Sequence, residues 1–184
     1  MSKPILLIGG TAGTGKTTLA RDLSYHLMID HRLGTGFIRE IIRAESSIDS
    51  DPYLFRFTFQ GDNVVENLRL QANRLYPAII RCINRARDEG TSLIIEGNHL
   101  IPELYFEVPV DGFYVLKPSL NHREMLQGAT HSNRLITDSD FEKVKTIDDY
   151  LRVECQSRSV HYVSIDDCRK LVYNLVGVTN ESQH

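Results

Sequence analysis

Cysteine is scarce and long apolar runs are missing, and each shortage removes a class of protein. The three cysteines, Cys82, Cys155 and Cys168, are odd in number and form no close pair. That argues against both a disulfide framework and a cysteine-built zinc site, and leaves packing as their role. No apolar stretch approaches the ~20 residues needed to cross a bilayer. The opening Met-Ser-Lys-Pro leads into a short apolar segment that glycines and Lys16 interrupt before it could serve as a secretory signal. A cytoplasmic protein without a membrane partner is expected. Cationic excess is lacking too: the formal charge is -3, with no basic cluster at either end, so nothing attracts nucleic acid over long range. Internal repeats and low-complexity linkers are absent. What remains, 41% apolar and 24% charged residues in a chain of 184, suits one globular domain that buries about two-thirds of its unfolded surface.

Short apolar runs alternate with helical periodicities. Ile5 to Ile8, Ser92 to Ile95, Phe113 to Leu116 and Val160 to Ile165 predict strands, with His31 to Thr35 a weaker fifth. Leu19, Leu23 and Leu27 mark one helix face, Ile38, Ile41 and Ile42 a second, and Val64, Leu68, Ala72 and Leu75 a third. Pro77 should break or kink that third helix, whose pattern resumes through Ile79, Ile80, Ile83 and Ala86 and stops at Gly90. Further helices are expected over Asn121 to Gln127, Phe141 to Ser157 and Cys168 to Val176, while the polar end from Thr179 to His184 should fray. Strands alternating with helices imply an α/β fold, a parallel five-stranded sheet with helices on both faces, as one domain over residues 1–178.

Directly after the first predicted strand, Gly10, four residues, Gly15, Lys16 and Thr17 spell G-x-x-x-x-G-K-T. A loop of this composition between a strand and a helix curls its N–H groups inward and adds the positive end of the helix dipole, so it cradles a polyphosphate. Gly10, Thr11, Ala12, Gly13, Thr14, Gly15, Lys16, Thr17 and Thr18 are the nucleotide-binding candidates. Lys16 can bridge the outer phosphates and the Thr17 hydroxyl can complete a magnesium shell, whereas Thr14 and Thr18 could equally cap the helix.

Glu96 ends a predicted buried strand, at the edge where open α/β sheets place ligands. There it could orient magnesium or polarise an attacking hydroxyl; the competing reading has it accept bonds from loop N–H groups. His99 offers a polar contact to a substrate or caps a turn. Arg39 and Arg43 lie one helical turn apart and could grip a carboxylate or phosphate, although Glu40 could also pair with Arg43 on a solvated face.

The segments IGGTAGTGKTTLARDLSYHL, GTGFIREIIR, EGTSLIIEGNHLIPEL and FEKVKTIDDYL, in this order, resemble the 2-phosphoglycerate kinase family of P-loop kinases, over most of the chain from Pro4 to about Val176. The resemblance implies a nucleoside-monophosphate-kinase-like three-layer fold, ATP with magnesium as donor, and a small phosphorylated or carboxylated alcohol as acceptor. It also implies that the polar segment from Lys117 to Asp140 closes over the donor phosphates, which makes Arg123 and Arg134 candidates for stabilising charge on the transferred group; a solvated connector is the alternative. The family's G-T-D-x-I-R-E carries an aspartate where this chain has Gly36, and a glycine cannot hold the acceptor hydroxyl. Glu96 or charge and positioning alone must then serve. A nucleoside or nucleotide kinase, a kinase of aminoacylated RNA and a nucleotide-dependent regulatory protein stay as rivals, and a homo-oligomer is left open.

Overall fold

Six consecutive apolar and glycine residues can be buried on both faces only at the centre of a sheet, and Ile5–Gly10, strand β1, lies there fully buried. The computed structural model describes residues 3–127 and 136–178. Within them, β1 pairs in parallel with β3 (Leu93–Glu96) and β4 (Gly112–Leu116), β2 (His31–Gly34) flanks β3, and β5 (His161–Val163) flanks β4, giving the order β2-β3-β1-β4-β5. The expected five-stranded parallel sheet is therefore present.

Among the described residues the helices are α1 (Lys16–His26), α2 (Thr35–Ala44), α3 (Val64–Glu89), α4 (Pro102–Tyr105), α5 (His122–Gln127), α6 (Asp138–Ser157) and α7 (Ile165–Val176). Side chains alternate across β1: Leu6 and Ile8 pack with Leu19 and Leu23 of α1 and Cys168 and Val172 of α7. Ile5 and Leu7 instead join Leu75, Ile79 and Ile83 of α3. Val115 and Leu126 meet Val144, Ile147 and Leu151 of α6 in a third cluster. The cysteines are free, and no helix among the described residues is long and apolar enough to cross a membrane.

Pro77 does not break α3. The helix runs unbroken from the Asn63 cap, whose side chain accepts from Glu66 N–H, to left-handed Gly90. An interior proline costs about 3 kcal/mol, whereas each fully buried Leu or Ile contributes about 1.5–3 kcal/mol. Leu75, Ile79 and Ile83, on both sides of Pro77, are all fully buried, so packing outweighs the local penalty. Two other helices begin earlier than periodicity suggests because side-chain caps set their starts: Thr137 and Asp140 form a capping box before Asp138, and Ser164 caps the turn before Ile165. Helix α2 begins at Thr35, ahead of the isoleucines that mark it, and Ile41 is 70% exposed instead of facing inward with Ile38.

Candidate active site

The glycine-rich stretch between β1 and α1 has the backbone its glycines allow. Gly13 and Gly15 take φ of +79° and +83°, a left-handed conformation costly for any other residue. The loop is also closely covered. A Cβ on Gly13 would stand 3.1 Å from the Leu126 Cα, and one on Gly15 would stand 2.7 Å from the Ile165 Cδ1. Lys16 Nζ folds back to donate to the Thr11 carbonyl at 2.5 Å and lies 3.3 Å from Thr14 Oγ1, which itself donates to the same carbonyl at 3.0 Å. Burial pushes the Lys16 ammonium down from its ordinary 10.5 to about 8, against the raising influence of Glu96. Thr11 Oγ1 is buried without a hydrogen-bond partner. An orphaned hydroxyl, a glycine-shaped concavity and a buried ammonium suit a bound triphosphate.

The sheet register brings the second group to this loop. Glu96 lies opposite Ile8 of β1 and Gly34 of β2, so its carboxylate emerges at the edge where both α1 and α2 begin. It accepts the Thr17 hydroxyl at 3.0 Å. Thr17 and Thr18 face outward from the buried loop. A hydroxyl and a carboxylate in contact beside a phosphate nest are a donor set that suits magnesium, which takes one or two protein oxygens and completes its shell with phosphate and water. No cluster of three metal-ligating side chains occurs among the described residues.

Helix α2 supplies the cations. Arg39 donates to the Arg56 carbonyl at 3.2 Å and to Glu40 at 3.1 Å, while Arg43 donates to Glu40 at 2.6 Å and lies over the Phe55 ring at 4.7 Å. Partial burial opposes ionisation of Glu40, yet bonds from Arg43 and Arg39 hold its carboxyl below the usual range. The Nε atoms of both arginines are buried and unpartnered. His99 is 3% exposed, with Nδ1 2.8 Å from Thr35 Oγ1 and Nε2 2.9 Å from Gln71 Oε1. Both ring nitrogens are thus taken. Burial, then the nearby charges of Arg39 and Lys16, pull its pKa down to about 3. Where the related pattern has aspartate, a Cβ on Gly36 would meet nothing within 4 Å.

Arg123 sits on α5, ion-paired with Asp138 and stacked over Phe141 at 5.3 Å. Arg134 lies outside the described residues. Several neighbours of the site escaped sequence reasoning. His122 is buried and donates from Nε2 to the Ala12 carbonyl of the loop at 2.7 Å, because a carbonyl can only accept. Gln71 and Asn67 reach the carbonyls of the segment before α3. The available signal was two polar residues, four apart, on an otherwise apolar helix stripe.

The 2-phosphoglycerate kinase of Pyrococcus furiosus is 33% identical over 108 residues, 53% of this chain and 36% of that one, so the chain spans about a third of that relative's length. The mevalonate-3-phosphate 5-kinase of Thermoplasma acidophilum is 29% identical over 186 residues, 91% of each chain. The chain is similar to 2-phosphoglycerate kinases and to a mevalonate-3-phosphate 5-kinase, relatives that phosphorylate small metabolites by name. A shikimate kinase from Acinetobacter baumannii, solved with shikimate, matches the kinase fold with a TM-score of 0.58 at 13% identity, covering 98% of this chain and 96% of that one. No family model matches. The resemblance read from the sequence and the α/β kinase fold are both borne out.

Proposed function

We propose that this kinase transfers the γ-phosphoryl of ATP to the hydroxyl of a small anionic metabolite, a phosphorylated or carboxylated hydroxy acid. The observation that carries the reading is the meeting, at one sheet edge, of the buried Lys16 loop, the Thr17–Glu96 pair and the start of the Arg39 helix. Lys16, Thr11 and the loop N–H groups hold the triphosphate. Thr17 and Glu96 hold magnesium, which when bound neutralises charge on the phosphate oxygens. Arg39 receives the acceptor's anionic group, with Arg43 keeping Glu40 occupied. No carboxylate stands at Gly36, so the acceptor is oriented by charge and position, which suits a loose phosphoryl-transfer transition state. Arg123, once released from Asp138, is the α5 cation available to the transferred group.

ADP release is the test, with wild-type protein, ATP, magnesium and a panel of 2-phosphoglycerate, mevalonate 3-phosphate, nucleosides and sugar acids. Stimulation by a phosphorylated hydroxy acid is expected. Stimulation by nucleosides alone would displace the acceptor class, and tight ATP binding with no stimulation by any acceptor would favour a regulatory protein. In the same assay Glu96→Gln should lower kcat by about 100-fold and raise the magnesium requirement. An unchanged rate would return Glu96 to a structural role.

The Lys16 shift yields a pH prediction. A bound triphosphate favours the protonated ammonium, so binding of ATP with magnesium should take up protons at about pH 8.5 and none at about pH 6.5, read by calorimetry in two buffers of different ionisation enthalpy. For the free protein the sign follows from proton counts. Between about 8 and 10.5 the unfolded chain keeps Lys16 protonated while the folded state does not, so this group makes stability rise with pH across that window.

A further inference from the structure

Three polar side chains, buried where α2, α3 and the loop after β3 meet, form one hydrogen-bonded chain, and chemistry fixes its donor directions. Gln71 is fully buried, and its Nε2 donates to the Tyr53 carbonyl at 2.6 Å and the Arg56 carbonyl at 3.0 Å. Turning the amide over would set its oxygen against two carbonyl oxygens, so the orientation is settled by the network. Gln71 Oε1 can only accept, which puts a proton on His99 Nε2, 2.9 Å away. In a neutral ring the other nitrogen is then an acceptor. His99 Nδ1 therefore accepts a hydrogen bond from the Thr35 hydroxyl across 2.8 Å. Neutrality is enforced by burial and by the cations Arg39 and Lys16, which oppose a third positive charge.

The two ends of this chain lie at the two halves of the site. At one end, the Arg56 carbonyl that Gln71 holds also accepts from Arg39. At the other, Thr35 is packed against Gly97, where any Cβ would overlap its hydroxyl, and Gly97 follows Glu96 directly while donating its N–H to Ile8 of β1 at 3.0 Å. We propose that His99 is a positioning residue and not a substrate contact: held as the Nε2–H tautomer by Gln71, it orients Thr35 and so sets the spacing between Arg39 and Glu96. This rests on the kinase reading of those two residues. A donor site and an acceptor site on different elements need such a common reference, since a displacement of about 1 Å can cost about 100-fold in rate.

Two measurements test it. Long-range proton–nitrogen correlation spectra of histidine-labelled wild type, with His99 assigned by its disappearance in His99→Asn, should show Nδ1 bare and Nε2 protonated, unchanged from about pH 5.5 to 8. An Nδ1–H tautomer, or a ring that titrates in that window, would overturn the proposal. The second compares Thr35→Val, which keeps the shape and loses the hydroxyl, with Thr35→Ser, which restores it. With the acceptor that best stimulates ADP release, Thr35→Val should lower kcat by about 10- to 100-fold, leave ATP affinity within about threefold, and be rescued by Thr35→Ser. A Thr35→Val protein with a lower Tm and wild-type kinetics would show a brace and nothing more. ATP titrations on the same samples separate the two claims: a wild type that binds no ATP sinks the kinase reading, while the wrong tautomer with ATP binding intact sinks this inference alone.

Discussion

Replacing Lys16 by alanine is expected to lower kcat by about three orders of magnitude or more without unfolding the protein. The ammonium is the cation seated in the phosphate nest, donating to Thr11 beside Thr14, and a methyl group supplies no charge to the moving phosphoryl. Stability should change little, because two effects of opposite sign meet there. Burial that takes the ammonium from 10.5 to about 8 costs roughly 3 kcal/mol at neutral pH, and alanine removes that cost. It also leaves a small void, while the Thr11 carbonyl keeps its bond from Thr14. Thermal unfolding followed by circular dichroism, alongside coupled ADP assays, checks both halves. Retained turnover would overturn the donor assignment, and a collapsed melting curve would make the lysine a structural element.

Gly97→Ala is expected to be among the most damaging single-methyl changes in the chain. The residue has φ of +151°, and its added Cβ would overlap Thr35 Oγ1 and stand 2.8 Å from Thr35 Cβ. Strain and overpacking each cost about 1–3 kcal/mol, so a combined loss of about 3–5 kcal/mol is expected, a fall of roughly 10 °C in Tm for a domain of this size. Gly36→Ala is the internal control. A Cβ there meets nothing within 4 Å and the position is helical, so stability should hold or rise by about 0.5–1 kcal/mol. Urea unfolding of the pair decides the matter: equal midpoints would mean that Thr35 does not lie against Gly97, which would also remove one end of the His99 chain.

Main-chain features were the legible ones. Short β-branched runs and glycine spacing report local backbone geometry, and the loop ahead of α1 and all five strands stand where those patterns put them, except that β5 stops at Val163 because Ile165 already begins α7. Helix limits were less legible, since Thr137 and Ser164 act as caps only through bonds three residues ahead. Ile41 was misplaced because α2 buries Thr35 and Ile38 and leaves the Phe37–Ile41 line outside. Among the site candidates, the neighbourhood of Lys16, Thr17 and Glu96 followed from motif and strand end. Arg39 and Arg43 carried an ambiguity that periodicity cannot resolve: the same spacing that offers two guanidiniums to a ligand places Glu40 between them, and the structure shows Glu40 bonded to both. The partners of His99 lie 28 and 64 residues away, and that of His122 lies 110 residues away. Such contacts are set by how the layers pack, and a linear reading has no access to them.

The central claim is that the glycine-curled loop ahead of α1 grips a triphosphate beside Lys16, and titration calorimetry of ATP with magnesium into folded wild-type protein tests it most directly. Saturable heat at one ATP per chain is expected, greatly weakened in Lys16→Ala. No heat from a protein whose circular dichroism shows it fully folded, or binding equal in the two proteins, would contradict it.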